Sequence, residues 1–149
     1  YHLLREEMQE FILDKLQLLI ERKLIKGIGE NGTEYTVIAQ ILDLPKEILR
    51  LIQKFDFTKK NPKLIYINTG ETMISLQDSI LVTFLNLAGF DILFFVPTGY
   101  QSVENYFAEK LMEEHQIGEY KYDMQVPDLN NISTNSTRPS WRRKLFRRG

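Results

Sequence analysis

Two short apolar runs, Leu64-Ile65-Tyr66-Ile67 and Asp91-Ile92-Leu93-Phe94-Phe95-Val96, constrain this chain more than any other feature. Both are too short for a buried helix and rich in β-branched or aromatic residues, so they read as strands. Continuous apolarity, rather than alternation, predicts strands covered on both faces. Between them, Ser75 followed by Asp78 has the pattern of a helix start. Leu76, Ile80, Leu81, Phe84 and Ala88 supply a buried helical face, and Gly89 ends it. Strands joined through a helix run parallel with a right-handed crossover, which places both carboxyl ends on one edge. A second helix is expected from Ser102 through Val103, Phe107 and Leu111 to about His115. A third strand is expected over 119–124, where Tyr120, Tyr122 and Met124 alternate with Glu119, Lys121 and Asp123. The expected fold is α/β: a small Rossmann-like, largely parallel sheet of three or more strands with flanking helices, preceded by a helical N-terminal segment.

In that segment, Leu4, Met8, Phe11, Ile12, Leu16, Leu19, Ile20 and Leu24 form one helical stripe. Glu6, Glu7 and Glu10 at its start and Arg22, Lys23 and Lys26 at its end suit the helix dipole, with Gly27 and Gly29 as the stop. Thr36 is expected to cap a short helix through Leu42, and Pro45 to open another running to about Phe55. Over 36–55 the apolar spacing also fits a DNA-binding helix-turn-helix. Asp43 in place of the usual turn glycine, and Pro45, Lys46 and Glu47 at the start of the would-be reading helix, weigh against it. Nucleic acid is therefore a disfavoured partner. The expected organisation is a helical segment over 1–56, an α/β unit over 57–129, and a polar linker with a basic aromatic tail over 130–149.

The formal net charge of −1 conceals an asymmetry. Arg138, Arg142, Arg143, Lys144, Arg147 and Arg148 are six of the 19 basic residues, while all 20 acids lie at or before Asp128. The body thus carries 13 bases against 20 acids. Trp141, Leu145 and Phe146 interleave the tail's charges, which suits an anionic membrane, a protein partner or the chain's own acidic surface. The chain has no cysteine, and so no disulfide, thiolate metal site or Cys nucleophile. No apolar run approaches the ~20 residues that span a bilayer, and no secretory leader opens the chain, which fits the cytoplasm. The sequons at Asn131 and Asn135 carry no meaning in that compartment. A start at Tyr1 rather than Met suggests a piece of a longer protein.

The candidate site is positional. Open α/β sheets hold ligands beyond the carboxyl ends of their strands, where glycine turns and helix starts expose backbone N–H groups. Thr69, Gly70, Glu71 and Thr72 follow the first strand, and Thr98, Gly99, Tyr100 and Ser102 follow the second. The glycines allow close backbone approach and the hydroxyls can donate to phosphate or carboxylate. Glu71 suits a ribose hydroxyl, a metal or a proton, and Tyr100 suits a ring. The same residues also make ordinary turns and caps. Neither a G-x-G-x-x-G fingerprint nor a P-loop G-K-[ST] occurs, and no G-x-S-x-G elbow supports a serine nucleophile. His2 and His115 lack metal-ligand spacing, so no metal site is assigned; His115 reads as a helix-end cap, with Glu113 and Glu114 on a solvated face.

The run FDFTKKNPKLIYINTGETMISLQDSILVTFLNLAGFDILFFVPTGYQSVENYF, with EEHQIGEYKYDMQVPDL and the closing WRRKLFRRG, resembles the C-terminal part of the YceG-like family. The likeness is clearest from Phe55 to Leu129. It implies a cytoplasmic bacterial protein of a "biosynthetic module" linked to tellurium resistance and stress response, with this segment as the last domain of a longer chain. It carries over no catalytic residue and assigns no reaction or cofactor. Three functions follow as expectations: binding of a small anionic metabolite at the two glycine loops, scaffolding through the first helix and the tail, and DNA binding through 36–55.

Overall fold

The computed structural model describes residues 4–54, 59–70, 74–100 and 104–125. Four helices and two strands follow in order: α1 (Glu6–Glu21), α2 (Thr33–Leu42), α3 (Lys46–Lys54), β1 (Lys63–Ile67), α4 (Leu76–Leu87) and β2 (Asp91–Phe95). The fold is mixed α/β, with the helices gathered around one core.

That core explains α1, α2 and α4 together. Ile12, Leu16 and Leu19 from α1, Val37 and Ile41 from α2, and Ile80, Phe84 and Leu85 from α4 share one buried cluster. Burying such stripes supplies most of a helix's stability in water. The start of α4 is set locally: Ser75 Oγ accepts from the Asp78 N–H at 3.0 Å and donates to the Asp78 carboxylate at 2.7 Å. Its end is a left-handed glycine, Gly89 at φ 97°. The Phe90 N–H reaches back to the Leu85 carbonyl. Inside the helix, the buried Ser79 and Thr83 hydroxyls donate to the carbonyls of Ser75 and Ser79, so neither carries an unmet polar group into the core.

Two helix ends differ from the sequence reading. α1 stops at Glu21, not near Gly27, because Lys23 takes the left-handed position at φ 50° and the Leu24 N–H bonds the Leu19 carbonyl. This turns Leu24 and Ile25 into the core and leaves Arg22, Lys23 and Lys26 beyond the helix. α2 starts at Thr33, so Thr36 lies inside it; Asn31 Oδ1 accepts from the Thr33 N–H and hydroxyl instead.

β1 and β2 pair in parallel, from Lys63 beside Asp91 to Ile67 beside Phe95. Their inner residues, Leu64, Tyr66, Ile92 and Phe94, pack on the core, and the Tyr66 and Phe94 rings stack at 5.1 Å. The expected cover on both faces is absent among the described residues. Ile65 (56% exposed), Ile67 (44%), Leu93 (50%) and Phe95 (42%) form an open apolar outer face. A continuous apolar run shows that both faces can be buried, not which one is.

The described sheet has two strands, so the three-stranded Rossmann-like arrangement is not formed there. Residues 119–124 form no strand and are exposed; the Lys121 N–H donates to the Pro97 carbonyl at 2.8 Å, and Asp123 has φ 55°. The helix expected up to His115 is also missing over 104–115. There Phe107 forms an antiparallel bridge with Ile25, through Lys26 N–H to Tyr106 and Ala108 N–H to Leu24. Those long-range bonds claim the backbone groups a helix would use.

Candidate functional site

The parallel register puts the turns after β1 and β2 on one rim. The Asn68 N–H continues the ladder to the Phe95 carbonyl at 2.9 Å, which ties the start of the first turn to the end of β2. Asn68 Oδ1 then accepts from the Gly70 N–H at 3.3 Å, closing a local turn. In the second turn, the Gly99 N–H donates to the Val96 carbonyl at 3.0 Å, and Thr98 Oγ1 accepts from the Tyr100 N–H at 3.4 Å. Gly99 has φ +67°, and a side chain there would run into the Tyr120 ring. Glycine is thus required twice over, by its backbone and by its neighbour.

The eight candidate residues divide into three sets. Thr69 and Gly70 sit half-buried on the rim, beside the approach to α4. Thr98 is only 6% exposed and its hydroxyl is used within its own turn, whereas Gly99 and Tyr100 open onto a cleft. Glu71, Thr72 and Ser102 lie outside the described residues.

That cleft, of about 590 Å³, runs along the carboxyl end of β2 and is walled by residues 112–120. Leu93, Phe95, Val96, Tyr100, Met112 and Tyr120 give it an apolar and aromatic lining. Glu104, Glu113, Glu114 and Glu119 add four carboxylates, and among the described residues no lysine or arginine lines it. Glu104 Oε1 is buried without a hydrogen-bond partner among the described residues. His115 does not cap a helix; it is exposed in this wall, with Nε2 3.6 Å from the Glu113 carboxylate. Sequence reasoning missed Glu104, His115, Glu119 and Tyr120 as neighbours of Tyr100, because the packing of irregular residues 104–120 brings them there. Among the described residues, no group of three His, Asp or Glu side chains is placed to hold a metal ion.

Two titrating groups mark the ends of the sheet. Burial, followed by the Asp78 carboxylate nearby, raises the pKa of the Tyr66 phenol above its ordinary value. At the opposite, amino end, the Lys63 ammonium (2.7 Å) and the Asn61 amide (3.4 Å) donate to the Asp91 carboxylate and lower its pKa. The anchoring pair therefore lies away from the candidate rim. Among the described residues, no helix is long and apolar enough to cross a membrane.

The chain's similarities are informative about family. A model described as the YceG domain matches residues 2–137. A relative in Bacillus subtilis (strain 168), named "Uncharacterized protein YceG", is 31% identical over 93 residues, covering 60% of this chain and 17% of the relative. The match therefore spans less than a fifth of that relative's length. No solved structure matches the chain.

Proposed function

Because the chain belongs to the YceG family, we propose that it is the small-molecule-binding domain of a bacterial cytoplasmic protein, taking an anionic metabolite at the carboxyl edge of its parallel strands. The observation that carries this reading is the shared rim: β1 and β2 end side by side, and the Asn68 N–H to Phe95 bond keeps their following turns together. Open α/β sheets place ligands at this kind of edge.

The lining gives the ligand a direction. Four carboxylates on the β2 side repel an anionic group, so phosphate or carboxylate faces Thr69 and Gly70, with Glu71 and Thr72 following. An apolar or ring portion then rests against Tyr100 and the cleft floor. Glu71 and Tyr100 orient the ligand, while Thr98 holds the turn that presents Gly99. A biosynthetic role linked to stress or tellurium resistance is the setting suggested by the resemblance.

Thermal denaturation against phosphorylated metabolites tests this reading. A ligand at one hundred times its Kd stabilises its target by about 2.7 kcal/mol. A response to sugar or nucleoside phosphates supports the proposal. Indifference to both sets, by this chain and by the longer protein, contradicts it.

A second reading, assembly with other proteins, gains support from the open face of Ile65, Ile67, Leu93 and Phe95. Contiguous exposed apolar residues mark interaction surfaces more often than isolated ones do.

A further inference from the structure

We propose that Asn31–Gly32, in the turn before α2, is a self-modifying site that cyclises to a succinimide and opens with water to aspartate or isoaspartate. The inference stands apart from the cleft, the outer sheet face and metabolite binding.

The sequence supplies the reactants, for Asn31–Gly32 is the chain's only Asn-Gly pair. A glycine has no side chain to hinder its nitrogen's approach to the carboxamide before it. The fold supplies the alignment. Asn31 Oδ1 accepts from the Thr33 N–H at 3.3 Å, which curls the carboxamide over the Gly32 peptide. The Thr33 hydroxyl donates to the same oxygen at 2.6 Å. These two donors polarise the Cγ carbonyl and meet the negative charge that develops on its oxygen during attack. Gly27 packs against the carboxamide, since a Cβ there would sit 2.6 Å from Asn31 Oδ1 and 2.9 Å from Nδ2. The group is thus held in one position while Asn31 itself is exposed to water. Such holding replaces the entropy that a free chain loses on reaching the reactive geometry. Among the described residues no acceptor holds the Gly32 N–H, so base from solvent can take its proton.

The step needs only water and hydroxide. Hydroxide removes the Gly32 amide proton, and the nitrogen bonds to Asn31 Cγ. Nδ2 takes a proton from water and leaves as ammonia. Water then opens the imide at either carbonyl. Opening at the side-chain carbonyl gives aspartate, which keeps the acceptor for Thr33 and adds a negative charge at the start of α2, where the helix dipole favours it. Opening at the main-chain carbonyl gives isoaspartate, which lengthens the backbone by a methylene and displaces Thr33. Because α2 carries Val37 and Ile41 into the core, a reaction in an exposed turn reaches the buried layer.

Asn68 is the built-in comparison. Its Oδ1 accepts from the Gly70 N–H at the same 3.3 Å, but the intervening nitrogen belongs to Thr69, whose branched side chain crowds the attack.

Incubation of the whole chain at mildly alkaline pH, followed by peptide mass spectrometry, tests the proposal. Asn31 should convert at least as fast as in a free peptide of residues 28–36, with Asn68 unchanged over the same time. Thr33→Val keeps the backbone N–H and removes the hydroxyl; it should slow conversion several-fold while the helical circular dichroism is preserved. Gly32→Ala should abolish conversion, although it strains a backbone at φ +82°. Asn31→Gln, whose cyclisation needs a larger ring, should give the same loss with the glycine intact. Conversion of the peptide while the folded chain keeps its Asn31 overturns the proposal. So does equal conversion at Asn68, or an unchanged rate in Thr33→Val.

Discussion

The helical layer and the outer side of the sheet are built from equally apolar sequence, yet they reach opposite ends. Ile12, Leu19, Val37, Ile41, Ile80, Phe84 and Leu85 are almost wholly buried between α1, α2 and α4. Ile65, Ile67, Leu93 and Phe95, on strands packed against the same core, remain about half exposed. The helices meet one another's needs, and the start of α4 is satisfied by its own cap, Ser75. Among the described residues, the sheet finds a partner for one face only. The contrast separates the part of the chain that stabilises the fold from a part that stays open among the described residues.

The sharpest way to break this contrast is to truncate one residue from each region. Phe84→Ala should cost about 3–5 kcal/mol by urea denaturation, because it removes a buried ring and leaves a cavity. Leu93→Ala should cost less than about 1 kcal/mol, since a half-exposed side chain has already lost much of its transfer energy to water. Equal losses at the two positions would mean that the outer face is covered.

The inner boundary of the contrast was legible in sequence, and the outer one was not. Ser75, Asp78 and Gly89 mark α4 correctly because capping bonds span only a few residues. The parallel pairing of the two apolar runs also follows from their separation by a helix. Nothing local reports that Ile65 and Leu93 lack cover, because composition is the same whether a second layer exists or not. Residues 104–115 illustrate a different failure. Phe107 is apolar at helical spacing from Leu111, yet its backbone region is held by Leu24 and Lys26, some eighty positions earlier. The same non-local packing carries Glu104, His115 and Tyr120 to the cleft, so that half of the candidate site was not visible in any motif. The turn residues themselves were visible, because glycine and hydroxyl side chains after a strand have a position-dependent meaning.

Smaller effects sharpen the picture. Gly99→Ala should destabilise by about 1 kcal/mol through its left-handed backbone, and should also displace Tyr120 from the cleft. Its thermal shift and the Tyr120 ring resonances check the two parts. Ser75→Ala should cost about 1 kcal/mol, the usual loss of an N-cap oxygen, without changing the cleft. The smallest effect concerns Asp91, whose pKa is lowered chiefly by its hydrogen bond from Lys63. A carboxyl with a lowered folded pKa adds stability above the unfolded carboxylate range, and loses it as pH falls through the folded value. Lys63→Met should raise the Asp91 titration midpoint seen by carbon-detected NMR and narrow that acid-side contribution.

Backbone amide NMR during titration with sugar phosphates and nucleoside phosphates tests the central claim most directly. The account predicts that Thr69, Gly70, Gly99 and Tyr100 shift together with one of these ligands, while amides in α1 and α2 stay still. Shifts confined to one of the two turns, shifts centred on the helices, or none with either ligand class would contradict a shared binding rim.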